Sequence, residues 1–180
     1  MSQHYGSCPS SRCQRLAPCD AGLRVAADKL ARNKNHLNRK PMTPDEIIQL
    51  FNQDKPACVE TLNGRVTEFI PEKNQLSMQF EPGLNCCHSI DVVQGGYVTA
   101  MLDAAMAHVA IAAEKFRATP SSIDINVSFL RPTRAGKHTA VGSIVKLGRT
   151  VGYLKAELFS DKGELTATAT SSVYLTRSTK

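Results

Sequence analysis

The amino-acid sequence predicts an α+β domain in which one long apolar helix is covered by a six-stranded antiparallel sheet. Three observations carry this prediction. The run from Val93 to His108 opens on Gly95-Gly96 and continues in Ala, Leu and Met, which are helix formers, over more residues than a buried strand would use. Before it, Arg65–Ile70 and Gln75–Phe80 alternate apolar and polar residues, as half-buried strands do. After Phe116 the pattern changes to four further strand-like stretches, 122–130, 137–147, 151–159 and 164–175. A lone apolar helix among so many strands has only the sheet to bury against.

In chain order, residues 1–41 come first and show little periodicity. They hold eight basic residues against two acidic ones, which is the whole excess of the +6 chain; the remaining residues hold 14 of each sign. This stretch reads as a disordered basic extension, and two other readings compete: an Arg-rich mitochondrial-type leader, or a translated region upstream of a true start. The third is favoured by Met42-Thr43-Pro44-Asp45-Glu46, where Thr43 can cap, Pro44 suits a first helical position and two acids fill the first turn. A domain over 42–180 is therefore expected to begin with a helix at 44–53. Pro71-Glu72-Lys73-Asn74 turns the first two strands into a hairpin, and Glu81-Pro82-Gly83-Leu84-Asn85 leads to the long helix. The short connections between the last four strands predict an antiparallel meander.

Composition excludes several functions. With the folded body neutral, there is no electrostatic footprint for nucleic acid. No apolar run is read as long enough for a membrane span, and no secretory signal is present. The cysteines (Cys8, Cys13, Cys19, Cys58, Cys86 and Cys87) form no C-x-x-C pair, so no metal or cofactor is expected and all six read as reduced thiols of a cytoplasmic protein.

The chemistry concentrates on the long helix. Val98, Met101, Leu102, Ala105, Val109 and Ala112 recur at helical spacing and predict a core face. Asp103 stands among Thr99, Ala100, Met106 and Ala107 with no basic partner within a turn. It reads either as a solvent-facing carboxylate or as an acid tuned by desolvation, near a helix start whose glycines leave N–H groups open to an anion.

Gln94-Gly95-Gly96 followed by Asp103 resembles the signature of hotdog-fold acyl-CoA thioesterases of the phenylacetate-pathway type, which usually carry His-Gly-Gly with an Asp nine positions after the His. The likeness continues through Ile123-Asp124-Ile125-Asn126-Val127-Ser128-Phe129-Leu130-Arg131-Pro132, Gly136, Lys146-Leu147-Gly148-Arg149-Thr150 and Asp161-Lys162-Gly163, covering roughly residues 44–180. It implies a hotdog fold and hydrolysis of acyl-CoA to free acid and coenzyme A. By the resemblance, Asp103 is nucleophile or general base and the Gly95 N–H an oxyanion donor. His88 holds the place of a carbonyl-holding Asn or Gln, with a plain loop histidine as the alternative. Ser122 matches a water-orienting hydroxyl, with Ser121 the near alternative. Asp124, on the same face as Ser122 by alternation, reads as structural support or a rim residue. Gly96, Arg131, Arg134, Lys146, Gly148 and Arg149 fall where the family holds coenzyme A, and arginine suits phosphate because its planar fork donates two bonds.

Helix rise adds a constraint of its own. Gly95 and Asp103 are eight residues apart, about 12 Å along a helix at ~1.5 Å per residue. A reacting carbon must lie roughly 3 Å from both its attacking group and its oxyanion donors. The site is therefore expected to be shared across a homodimer, with Gly95, Gln94 and His88 from one subunit and Asp103 and Ser122 from the other, and a further assembly to a homotetramer is expected. A competing reading is a hotdog module that binds acyl-CoA without cleaving it. A dehydratase-type hotdog would need a His–acid pair, and neither His88 nor His108 lies in the motif such enzymes use. Tyr97, Met101, Met106 and Phe129 either line the acyl pocket or fill the core.

Overall fold

The computed structural model describes residues 42–177; the expectations for residues 1–41 fall outside them. Helix α1, Pro44–Gln53, is closed at its start by a capping box: the Thr43 hydroxyl accepts from Glu46 N, and the Glu46 carboxylate accepts from Thr43 N at 2.8 Å. Its buried face is Ile47 and Phe51. A single-turn helix α2, Ala57–Thr61, follows. It is absent from the sequence reading, because five residues carry no readable period.

Strands β1 (Arg65–Ile70) and β2 (Gln75–Phe80) pair as the expected hairpin, turning through a short 3-10 segment at Pro71–Lys73. Helix α3, Gly95–Ala113, is the central element, and Val98, Met101, Leu102, Ala105, Val109 and Ala112 are all buried on it. Its 19 residues, with mean hydropathy 1.3, are long and apolar enough to cross a bilayer, contrary to the expectation from sequence; half of the span lies buried inside the fold, as a core helix does. The remaining strands are β3 (Ala118–Phe129), β4 (His138–Leu147), β5 (Val151–Ser160) and β6 (Leu165–Arg177). Strand β3 starts four residues earlier than expected, since Thr119, Pro120 and Ser121 pair with β6 despite their polar, Pro-containing sequence.

The six-stranded antiparallel sheet has the order β1-β2-β4-β5-β6-β3 and wraps α3. The meander expected over the last four strands holds only for β4, β5 and β6. Strand β3 lies at the far edge against β6, and residues 130–137 carry the chain back to β4, beside β2. That connection is not a hairpin turn because its backbone groups are engaged elsewhere: Thr133 O accepts from Val93 N at 2.8 Å, Ala135 N donates to Asp91 O at 2.8 Å, and Thr133 is buried. The crossover thus fastens the segment that leads into α3.

The core lies between α3 and the sheet, with Leu76, Met78, Phe80, Leu154, Leu158 and Val173 nearly inaccessible. One glycine sets the spacing. A Cβ on Gly142 of β4 would lie 2.3 Å from the Ala105 carbonyl oxygen, so the helix backbone rests directly on that strand.

Candidate active site

Asp103 projects from α3 toward β3. It is partly buried, and its Oδ1 accepts a hydrogen bond from the Ser122 hydroxyl at 2.9 Å. Both residues belong to one chain, as the sequence reading grouped them. The choice between Ser122 and Ser121 is made by register. Ser122 pairs with buried Val173, on the helix-facing side of the sheet, whereas Ser121 pairs with exposed Tyr174 on the other side.

Ser122 owes this orientation to a β-bulge. Between Ser122 and Asp124 the pairing shifts, so that Asp124 stands opposite Ser172 and Ile123 has no partner. Alternation had placed Asp124 on the same face as Ser122, and the bulge overturns this: Asp124 faces outward with Ser172. Its role as structural support stands. Asp124 Oδ1 accepts from Ser172 N at 3.3 Å, and its carbonyl accepts from the Ser171 hydroxyl at 2.7 Å.

At the other end of the site, Gln94 caps α3. Its Oε1 accepts from Gly96 N at 2.7 Å, so the glutamine and Gly96 N–H satisfy each other. Gly95 N–H is left without an acceptor among the described residues, at the positive end of a 19-residue helix. A Cβ on Gly95 would lie 3.2 Å from Phe129 Cζ, so the Phe129 ring covers this glycine. Phe129 is 56% exposed and Tyr97 37% exposed, whereas Met101 and Met106 are sealed in the core. The question of pocket lining or core is thereby split between the two pairs. His88 is exposed, in a loop whose backbone closes from His88 N to Val92 O at 3.0 Å, and its side chain has no partner among the described residues.

The basic residues do not gather within one chain. Arg131 and Arg134 lie at the sheet end that holds Phe129 and Gly95; Lys146 and Arg149 lie at the opposite end, beside Arg177. Arg134 is already paired with Asp91 at 2.5 Å, and Arg131 donates to Leu165 O at 2.8 Å. Gly148 is a turn residue: its N–H donates to Val151 O at 2.8 Å, and a Cβ there would meet that same oxygen. Among the described residues, no group of three or more His, Cys, Asp or Glu side chains is placed to hold a metal.

A carboxylate steadied by a hydroxyl, and an open N–H at a helix start, are the parts that attack on an acyl group requires. Residues 91–167 match the family model of the thioesterase superfamily. A phenylacetic acid degradation-related protein of Ralstonia eutropha JMP134, taken to be a thioesterase, is 30% identical with a TM-score of 0.66, over 71% of this chain and 98% of that one. This chain belongs to the thioesterase superfamily. It is a hotdog-fold thioesterase, similar to the phenylacetate-pathway type. The PaaI protein of the Escherichia coli phenylacetic acid degradation operon shares the fold at 16% identity and TM-score 0.63, over 73% of this chain and 91% of that one. So does smu.793 of Streptococcus mutans UA159, solved bound to acetyl CoA, at 18% identity and TM-score 0.58, over 66% and 92%. Comparison with curated proteins gives no match.

Proposed function

We propose that this thioesterase hydrolyses acyl-CoA thioesters in a site completed by two subunits. The observation that carries the reading is the Ser122–Asp103 hydrogen bond, set eight residues along α3 from an open Gly95 N–H. Asp103 either takes the proton of a water that Ser122 orients, or attacks the carbonyl carbon itself. The developing oxyanion is held by Gly95 N–H, helped by His88 from the exposed loop beside it. Collapse breaks the C–S bond and expels the coenzyme A thiolate, which takes up a proton; after direct attack this leaves an acyl–Asp103 anhydride, which water cleaves to the free acid and the restored carboxylate.

Helix rise separates Gly95 from Asp103 by about 12 Å, too far to serve one carbon. A second copy supplies the missing half. Edge strand β3 has no strand on its outer side among the described residues, and Ile123 and Phe129 on it, with Leu130 just beyond its end, are exposed. Pairing of two such edges would bring one subunit's Gly95 end toward the other's Asp103.

The test mixes two dead variants. Asp103→Ala and Gly95→Val are each expected to fold and to release no thiol from a panel of short, long and aromatic acyl-CoA substrates. In mixed dimers both defects can fall in one site and leave the other intact. Co-expression should then restore roughly a quarter of wild-type activity, if pairing is random and the sites independent. Mixed dimers that form and stay inactive would defeat the shared site; full activity in Asp103→Ala would defeat hydrolysis by this carboxylate.

A further inference from the structure

We propose that Ser171, a buried hydroxyl on β6, is a positioning residue that holds Ser122 against Asp103. The inference rests on the site reading above and adds a residue that touches neither substrate nor Asp103. Ser171 is 3% exposed and faces the helix side of the sheet, where it pairs with Ile125. Its hydroxyl donates to the Asp124 carbonyl at 2.7 Å and lies 3.4 Å from its neighbour's carbonyl, Ser172 O. Asp124 is the first residue on the downstream side of the bulge.

The position matters because of what the bulge decides. With Ile125 held opposite Ser171, a regular strand would place Asp124 opposite Ser172, Ile123 opposite Val173 and Ser122 on the outer face. In the observed register Ser122 takes the place opposite Val173, and Ile123 is pushed out to 60% exposure. A one-residue slip in β3 therefore exchanges a hydroxyl for an isoleucine beside Asp103. The Ser171 hydroxyl fixes the Asp124 peptide where the ladder is interrupted, and Asp124 Oδ1 closes the same point by accepting from Ser172 N. Strand β3 is an edge strand, and among the described residues no strand on its other side helps to hold that register.

Four variants of the full chain, Ser171→Ala, Ser171→Thr, Ser122→Ala and the Ser122→Ala/Ser171→Ala double, read by thiol release from the best acyl-CoA of the panel, test the role. Ser171→Ala should lower kcat on the order of tenfold while KM moves little, because a misplaced Ser122 weakens the reacting geometry and not the hold on coenzyme A. Ser171→Thr keeps the hydroxyl and should recover most of the loss. In a Ser122→Ala background Ser171→Ala should cost nothing more, since its effect passes through Ser122. If the alanine variant is not recovered folded, Ser171→Cys, close in size and a poor donor, replaces it in the same comparison. Equal losses with and without Ser122, or no loss in Ser171→Ala while Ser122→Ala is impaired, overturn the positioning role alone. Wild-type turnover in Ser122→Ala overturns the site reading itself.

Discussion

His108 shows how one side chain can tie stability to pH. It sits on the buried side of α3, its Nδ1–H donates to Ala104 O at 2.7 Å, and its ring packs on Phe51 with centroids 4.7 Å apart. Burial pushes the imidazole below its ordinary value of 6.5, and outweighs the opposing effect of the bond to Ala104. The unfolded chain takes up a proton near 6.5 that the folded chain resists. The stability due to neutral His108 is therefore complete above that pH and is lost as pH falls from there through the lowered folded value. The thermal midpoint should drop between about pH 7.5 and about pH 5.5, and His108→Leu should flatten that drop. An unchanged slope in the variant would remove His108 as the cause. At this scale the sequence was legible where chemistry is local: Asp103 could be singled out from the uncharged turn around it, and Gln94 from its place before two glycines. Asp124 was not legible. The series Ile123, Ile125, Val127, Phe129 is as regular as a strand can be, and no residue in it announces that Ile123 is extruded.

Among the elements, α3 and strand β4 meet backbone to backbone. The helix was readable from its apolar spacing alone; the six residues expected on its core face are buried, and Met106, His108 and Ala110 are buried beyond them. What the pattern could not supply is the depth at which it lies, which Gly142 sets through its contact with the Ala105 backbone. Gly142→Ala should destabilise the fold by about 1–3 kcal/mol or more, because the obstacle is backbone that cannot rotate away. Chemical denaturation checks this, and a midpoint within error of wild type would mean that helix and strand can part at little cost. The order of the strands was the least legible part. The eight residues 130–137 between β3 and β4 would suffice for a hairpin, as the four residues 71–74 do between β1 and β2, yet they form a crossover. The difference lies in Thr133 and Ala135, whose bonds to Val93 and Asp91 involve residues some 40 positions away.

Across the whole molecule, the basic residues that the family likeness groups together are held at two ends of the sheet. Arg131 stands on the crossover fastened to the start of α3, so its end is the one expected to meet coenzyme A phosphate. Arg131→Ala should raise KM for acyl-CoA and leave KM for the matching acyl-pantetheine unchanged, with kcat little altered, because the contact is made in ground and transition state alike. Arg149→Ala provides the comparison from the opposite end, and a KM effect confined to it would move the phosphate site there. The position of β3 also governs the order of events during synthesis. Its partner is β6, the strand made last, and the two pair from Ala118 opposite Arg177 to Phe129 opposite Ala167. A growing chain that has emitted β3 therefore carries both edges of that strand unpaired until about fifty further residues emerge. Throughout that interval Ser122 has no Val173 to face and no Ser171 to set its register. A ribosome-bound chain halted before β6 would hold every residue of the proposed site without the register that sets Ser122 against Asp103.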